Sequence, residues 1–265
     1  MKTKEVKCKN ALSKSKLPGL DYSLNPYRGC MHNCAYCYVP NILRIPREKW
    51  GTFVDIKKNI PVVLSKELKK KKKGVVGIST VTDPYQPIEK KYRLTRYCLE
   101  QLLIHDFPIS IQTKSDLILR DTDIISKFSN AEVMISIGTI NDSERKIFEP
   151  NTSSIKDRLK ILKNFSDIGI KNSIFFGPIY PNIKKEDLTE IIDLFSSVNV
   201  KEIMIDSCNL KPGIWENINN RLQQNNHEIL KSSLKNIKNP NYYKKIRNNL
   251  IQICKNKNIK IVDAF

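Results

Sequence analysis

Cys30-Met31-His32-Asn33-Cys34-Ala35-Tyr36-Cys37 sets three thiols at the spacing Cys-x3-Cys-x2-Cys inside one short loop. Soft thiolates so close together select zinc or an iron–sulfur cluster. A structural zinc site normally closes with four ligands drawn from two separated pairs. No second pair exists here, because Cys8, Cys98, Cys208 and Cys254 are singletons. A zinc reading must therefore borrow one of them or bend His32 back from within the loop. A cubane on three cysteines needs no fourth ligand and leaves one iron open to bind a small molecule.

Around the loop, the sequence quotes further pieces of one pattern. Asn25-Pro26-Tyr27-Arg28-Gly29 leads into Cys30, Tyr38 follows Cys37, and Thr82-Asp83-Pro84-Tyr85-Gln86-Pro87 comes later. With the cysteine triad these stretches resemble the spore photoproduct lyase-like branch of the radical S-adenosylmethionine (SAM) superfamily, in order from about residue 22 to residue 181. The resemblance implies a 4Fe-4S cluster on Cys30, Cys34 and Cys37, with SAM chelated by the open iron. It also implies a partial (β/α)6 barrel with the active site at the C-terminal ends of the strands.

Periodicity by itself supports an α/β class. Short apolar runs at 22–27, 75–79, 109–113, 133–137, 170–176 and 202–205 read as six strands. Amphipathic stretches at 61–73, 93–104, 123–128, 155–168 and 185–196 read as helices, the pattern of parallel strands joined by crossovers. A further short strand is expected at 52–56, and residues beyond 210 read as a helical, basic C-terminal tail. The expected organisation is a mobile basic lead-in over 1–21 and a single core domain over 22–265.

A chain of 265 residues is long enough for one barrel. Its apolar runs are far shorter than the roughly 18 residues of a membrane span, and the lysine-rich start lacks the apolar block of a secretory signal. Seven cysteines without paired spacing outside the triad fit a reducing compartment. The expectation is a cytoplasmic protein with no membrane contact. The formal charge is +19, and residues 231–260 hold eight lysines and Arg247 with no acid. That tail, with Tyr242 and Tyr243 inside it, suits a phosphate backbone, so DNA or RNA is an expected partner. The same charge suits an acidic electron donor such as ferredoxin or flavodoxin.

In a barrel of this kind the loops after the strands carry the chemistry. By the resemblance, Ser79 and Thr80 take the place of the stretch that binds the SAM amino group. Lys114 and Ser136 match positions for the methionine carboxylate and the ribose, Tyr36 lies beside adenine, and Gly177 and Pro178 correspond loosely to an adenine contact. Tyr36 and Tyr38 match a hydrogen relay, and Cys208, just after the sixth strand, is the lone cysteine placed to face the cavity. The lyases carry a hydrogen-donating cysteine near the end of the second strand. The corresponding stretch here, 77–84, has none.

Three further residues are weighed beside these. Asp83 either braces its Asp-Pro turn or touches substrate, and Arg158 either reaches the SAM carboxylate or pairs with Asp157 or Glu149. His105, next to Asp106 at a helix end, reads as structural, as does Cys98 on an apolar helix face. The leading reading is a radical SAM enzyme acting on nucleic acid. A peptide or small-molecule substrate is the alternative within the same chemistry, and a non-catalytic zinc-bearing nucleic-acid-binding module is the alternative outside it.

Overall fold

The computed structural model describes residues 1–264. The strands in chain order are β1 Lys2–Val6, β2 Leu12–Lys14, β3 Tyr22–Leu24, β4 Tyr27–Arg28, β5 Phe53–Lys57, β6 Val76–Ile78, β7 Ile109–Thr113, β8 Ala131–Ser136, β9 Lys171–Phe176, β10 Glu202–Ile205 and β11 Lys260–Asp263. Eight of them form one sheet in the order β11-β10-β9-β8-β7-β6-β3-β2. From β3 to β11 all neighbours are parallel, and β2 joins antiparallel at the edge. The six expected strands are all present, with helices Ile60–Leu68, Leu94–Ile104, Thr122–Ile125, Ile155–Asp167 and Asp187–Ser196 between them. This is an open partial barrel.

The alternation of side chains along each strand sets what the barrel holds. On β8, Ala131, Val133 and Ile135 are buried under the outer helices, while Glu132, Met134 and Ser136 line the inner cavity. On β10, Ile203 and Ile205 are buried and Glu202, Met204 and Asp206 face inward. On these two strands one set of alternate residues anchors the helices and the other lines the cavity.

Three features depart from the expectation. The stretch 22–27 is not one strand, because it breaks at Asn25-Pro26: β3 stays in the barrel, and β4 pairs with β5 in a second sheet ordered β1-β5-β4. Proline cannot donate to a ladder, so the chain changes sheets there. The lead-in, expected as a mobile extension, carries two paired strands; β1 runs parallel to β5 from Lys2 opposite Phe53 to Val6 opposite Lys57. The tail is helical over Ile214–Gln224, Glu228–Ser233 and Pro240–Lys255, but it ends in β11, which extends the barrel beyond its sixth strand.

Candidate active site

The cysteine loop leaves β4 through Gly29, whose φ is +89° and whose Cβ, if present, would lie 2.4 Å from the Phe53 carbonyl oxygen. Only glycine fits that approach. Other elements then hold the loop through its backbone. Gln86, fully buried, accepts from Met31 N at 2.8 Å and donates to Gly29 O at 3.2 Å, and Thr82 Oγ1 donates to Gly29 O at 2.8 Å. Asn151 donates to Met31 O at 2.9 Å, Arg221 to Asn33 O at 2.6 Å and Asn217 to Ala35 O at 2.6 Å. With its carbonyls occupied from outside, the loop presents Cys30, Cys34 and Cys37 to the cavity. Burial pushes each free thiol up to about 12.

Asp83 is a brace. It accepts from Thr113 Oγ1 at 2.7 Å, Lys114 N at 2.9 Å and Tyr85 N at 2.9 Å. His32 Nδ1 lies 3.3 Å from it, at ion-pair distance but without hydrogen-bond alignment. Burial pushes the Asp83 carboxyl up, but the neighbouring His32 and the hydrogen bonds from Thr113 and Lys114 outweigh it and hold the group at about 2. The Thr82–Pro87 stretch is thus a clamp between the cysteine loop and the third strand.

All twelve residues singled out as ligands or contacts line one cavity of about 600 Å³, a size usual for cofactor sites. Ser79 has φ +63° and a buried Oγ with no partner among the described residues, and Thr80 follows it along the same wall. Lys114 Nζ stands 6.0 Å from the centre of the Tyr36 ring. Burial works against its charge, yet Cys34 and Glu149 beside it outweigh burial and raise its pKa. Ser136 Oγ accepts from Gln112 at 3.1 Å. Gly177 allows close packing beside Pro178, since a Cβ there would meet the Phe175 ring at 2.6 Å. Tyr38 is half-buried, and Cys208 is 9% exposed at the far end of the cavity.

Arg158 does not reach the cavity. It is fully buried, pairs with Glu149, and donates to Ser136 O at 2.8 Å and Ser153 O at 3.1 Å. The Tyr36 hydroxyl donates to the other oxygen of Glu149, so this acid links the aromatic wall to the fourth strand end. Burial pushes the Glu149 carboxyl up, but the charges of Arg158 and Lys114 hold it below the usual range. His105 and Asp106 form no pair; Asp106 instead accepts from Ser129 N at 3.0 Å. Cys98 is fully buried core.

Sequence reasoning missed two residues at this site. Asp206, at the end of β10, lines the cavity near Tyr38 and Cys208, and burial pushes its carboxyl up to about 6. Tyr180 is 1% exposed and packs edge-on against Phe148 at 4.6 Å and Tyr36 at 6.5 Å. Asp206 had a usable signal, as the polar residue ending a strand; Tyr180 had none.

The donor set fits an iron–sulfur cluster with SAM. Three thiols share one wall, an unpartnered Ser79 hydroxyl and a lysine face the space in front of them, and an aromatic ring flanks it. Among the described residues, no three His, Cys, Asp or Glu side chains converge as ligands of a single metal ion would. Nor is any helix of the described residues long and apolar enough to cross a membrane.

Comparison with known proteins agrees. The chain is 38% identical over 180 residues to an uncharacterized protein of Methanocaldococcus jannaschii, covering 68% of each. It is 30% identical over 198 residues to an uncharacterized protein of Acidianus two-tailed virus, covering 69% of this chain and 65% of that one. The match thus spans about two thirds of these relatives' length. Its fold resembles that of spore photoproduct lyase complexed with dinucleoside spore photoproduct, with TM-score 0.69 at 14% identity, over 99% of this chain and 82% of that chain. It also resembles SuiB of Streptococcus suis, with TM-score 0.58 at 14% identity, over 91% of this chain and 48% of that chain. The radical SAM superfamily profile matches residues 24–195, which contain the cysteine loop, its clamp and the four barrel strands β6 to β9, and so the chain belongs to the radical SAM superfamily.

Proposed function

We propose that this chain is a radical SAM enzyme in which Cys30, Cys34 and Cys37 hold the 4Fe-4S cluster, and that its substrate is nucleic acid. The observation that carries the reading is the single cavity shared by the three thiols and the polar strand ends. When bound, the cluster and SAM supply the electron that splits the sulfonium and the 5′-deoxyadenosyl radical that takes hydrogen from a substrate.

The chain's own residues bind and orient. Ser79 and Thr80 offer oxygens to the SAM ammonium, Lys114 meets the carboxylate, and Ser136 the ribose. Tyr36, Gly177 and Pro178 flank the adenine. The Leu17–Leu20 segment and the cysteine loop form part of the cavity wall around the reacting atoms. Tyr38, Cys208 and Asp206 line the same cavity and are available to a substrate there. Tyr36 is a less direct hydrogen donor than Tyr38, because its hydroxyl is already committed to Glu149.

Nucleic acid as substrate rests on charge. A groove of about 400 Å³ beside the C-terminal helices is lined by Lys184, Lys185 and Lys245 with Asn182, Asn236 and Asn249, and by no acid. Arg247, counted with the basic tail from sequence, is instead paired with Asp263 at 2.7 and 2.6 Å.

The deciding experiment is anaerobic purification followed by iron, sulfide and 5′-deoxyadenosine assays under dithionite. A brown protein with about four irons that cleaves SAM is expected, and Cys34→Ala loses most of the iron and all cleavage. Colourless protein carrying zinc, or cleavage that survives Cys34→Ala, overturns the reading.

A further inference from the structure

The segment between the cysteine loop and β5 folds back over the loop. Its short 3-10 turn, Arg47–Lys49, ends at Trp50. Gly51, with φ +82°, lies so close to the loop that an added Cβ would sit 2.3 Å from Asn33 Cγ. Arg47 donates one guanidinium nitrogen to Cys37 O and another to Asn41 Oδ1 at 2.7 Å. Trp50 packs with Cys30 and Ile45 in a small apolar cluster apart from the main core, against Cys37 and Phe53. The segment is therefore a lid packed on the Cys30 and Cys37 side of the loop.

Two donors on this lid are buried without acceptors. Trp50 is 4% exposed, and its indole Nε1 has no partner among the described residues; Arg47 Nε likewise has none. An indole N–H can only donate, and leaving a buried donor unmade costs about 1–3 kcal/mol. Such groups call for an explanation, and an unfilled acceptor is the usual one. No oxygen of the described residues accepts from the indole there, whereas Cys30, Cys34 and Cys37 line the same cavity as Trp50. Cluster sulfurs accept hydrogen bonds, and donors to them stabilise the reduced, more negative state.

We propose that Trp50 donates its indole N–H to a sulfur of the cluster at the Cys30 side, with Arg47 as the cationic positioning residue at Cys37, and that this lid raises the cluster's reduction potential. The proposal rests on the cluster reading above and adds to it which residues set the potential. Neither residue touches SAM in this assignment, so the effect is on electron entry and not on cofactor binding.

The test is a redox titration of the reconstituted full chain followed by electron paramagnetic resonance, comparing the native protein with Trp50→Phe. Phenylalanine keeps an aromatic ring over the thiols and removes the N–H. With iron and sulfide content equal, the variant is expected to hold a tenfold smaller reduced-to-oxidised ratio at a given poise, about 59 mV for a one-electron couple. An unchanged midpoint at equal cluster content overturns the proposal. Failure of the native protein to bind iron overturns the cluster reading instead, so the two outcomes stay apart.

A second measurement keeps Trp50 in place and does not depend on the folding of Trp50→Phe. The chain has two tryptophans, so Trp215→Phe protein labelled with 15N-tryptophan carries its label at Trp50 alone. A 15N hyperfine coupling to the reduced cluster is expected, and its absence overturns the proposal.

Discussion

Lys114 shows how a single side chain is held for a task. Its amine stands 6.0 Å from the centre of the Tyr36 ring, and the neighbouring Cys34 and Glu149 raise its pKa against burial. A hydrogen bond to a charged group contributes about 1.5–3 kcal/mol. Lys114→Ala is therefore expected to weaken SAM binding by about 10- to 100-fold while iron content stays constant. Unchanged affinity in an equilibrium binding assay would return Lys114 to the role of an ordinary turn lysine. A second residue matters by its absence. No cysteine lies in 77–84, and serine and threonine hydroxyls hold hydrogen too strongly to return it to a carbon radical. Cys208 reaches the cavity from β10 instead, on a different wall. Reduced enzyme with SAM is thus expected to cleave SAM but give little repair of thymine-dimer spore lesions in DNA. Release of repaired thymines over many turnovers, measured by chromatography, would refute this. Arg158 was an open choice in the sequence, because a helix position does not say which of several acids lies across a loop. The structure pairs it with Glu149.

Between elements, the barrel loops are joined by a buried charge network. Glu89 and Asp121 have fully buried side chains, and Arg120 bridges them at 2.7 and 2.8 Å. Tyr27, two residues before Gly29, donates its hydroxyl to Glu89. The network thus ties the second and third strand-end loops to the strand that launches the cysteine loop. Removing one member of a buried pair leaves a charge without compensation, at a cost of about 3–5 kcal/mol. Arg120→Met leaves Glu89 without a cation while Asp121 keeps Arg96 at 3.0 Å, so stability is expected to fall by about 3 kcal/mol, the low end of that range, in chemical denaturation, with reduced cluster retention. A loss below about 1 kcal/mol would show that the network relaxes without Arg120. The barrel strands were legible because buried parallel strands are nearly continuous apolar runs. β1, β4 and β11 were not. They are short, polar or at a sheet edge, and each exists through partners that sequence proximity does not reveal, as when Lys2 pairs beside Phe53.

Over the whole molecule, the +19 charge is unevenly available. Part of the basic tail is neutralised within the fold, as at Arg247 and at Lys260, which lies 3.1 Å from Glu202. Lys184, Lys185 and Lys245 line a groove without acids and come from two separated stretches of chain. Charge reversal at these three is expected to weaken nucleic-acid binding and to flatten its salt dependence by up to about three units, one for each lost phosphate contact. A salt slope that stays the same would remove this groove from the interface. The sequence by itself determined the cysteine loop and the six expected strands with the helices between them, through local spacing and continuous apolar runs. The strand-end residues that line the cavity were reached through the resemblance to the spore photoproduct lyase-like branch. Tertiary structure alone decided that Glu149 sits between Tyr36 and Arg158, that Asp206 enters the cavity, that Trp50 packs on Cys30 and that Arg247 is already paired. Each of these depends on contacts between residues far apart in the chain, where the partner is chosen by how the sheets and helices pack.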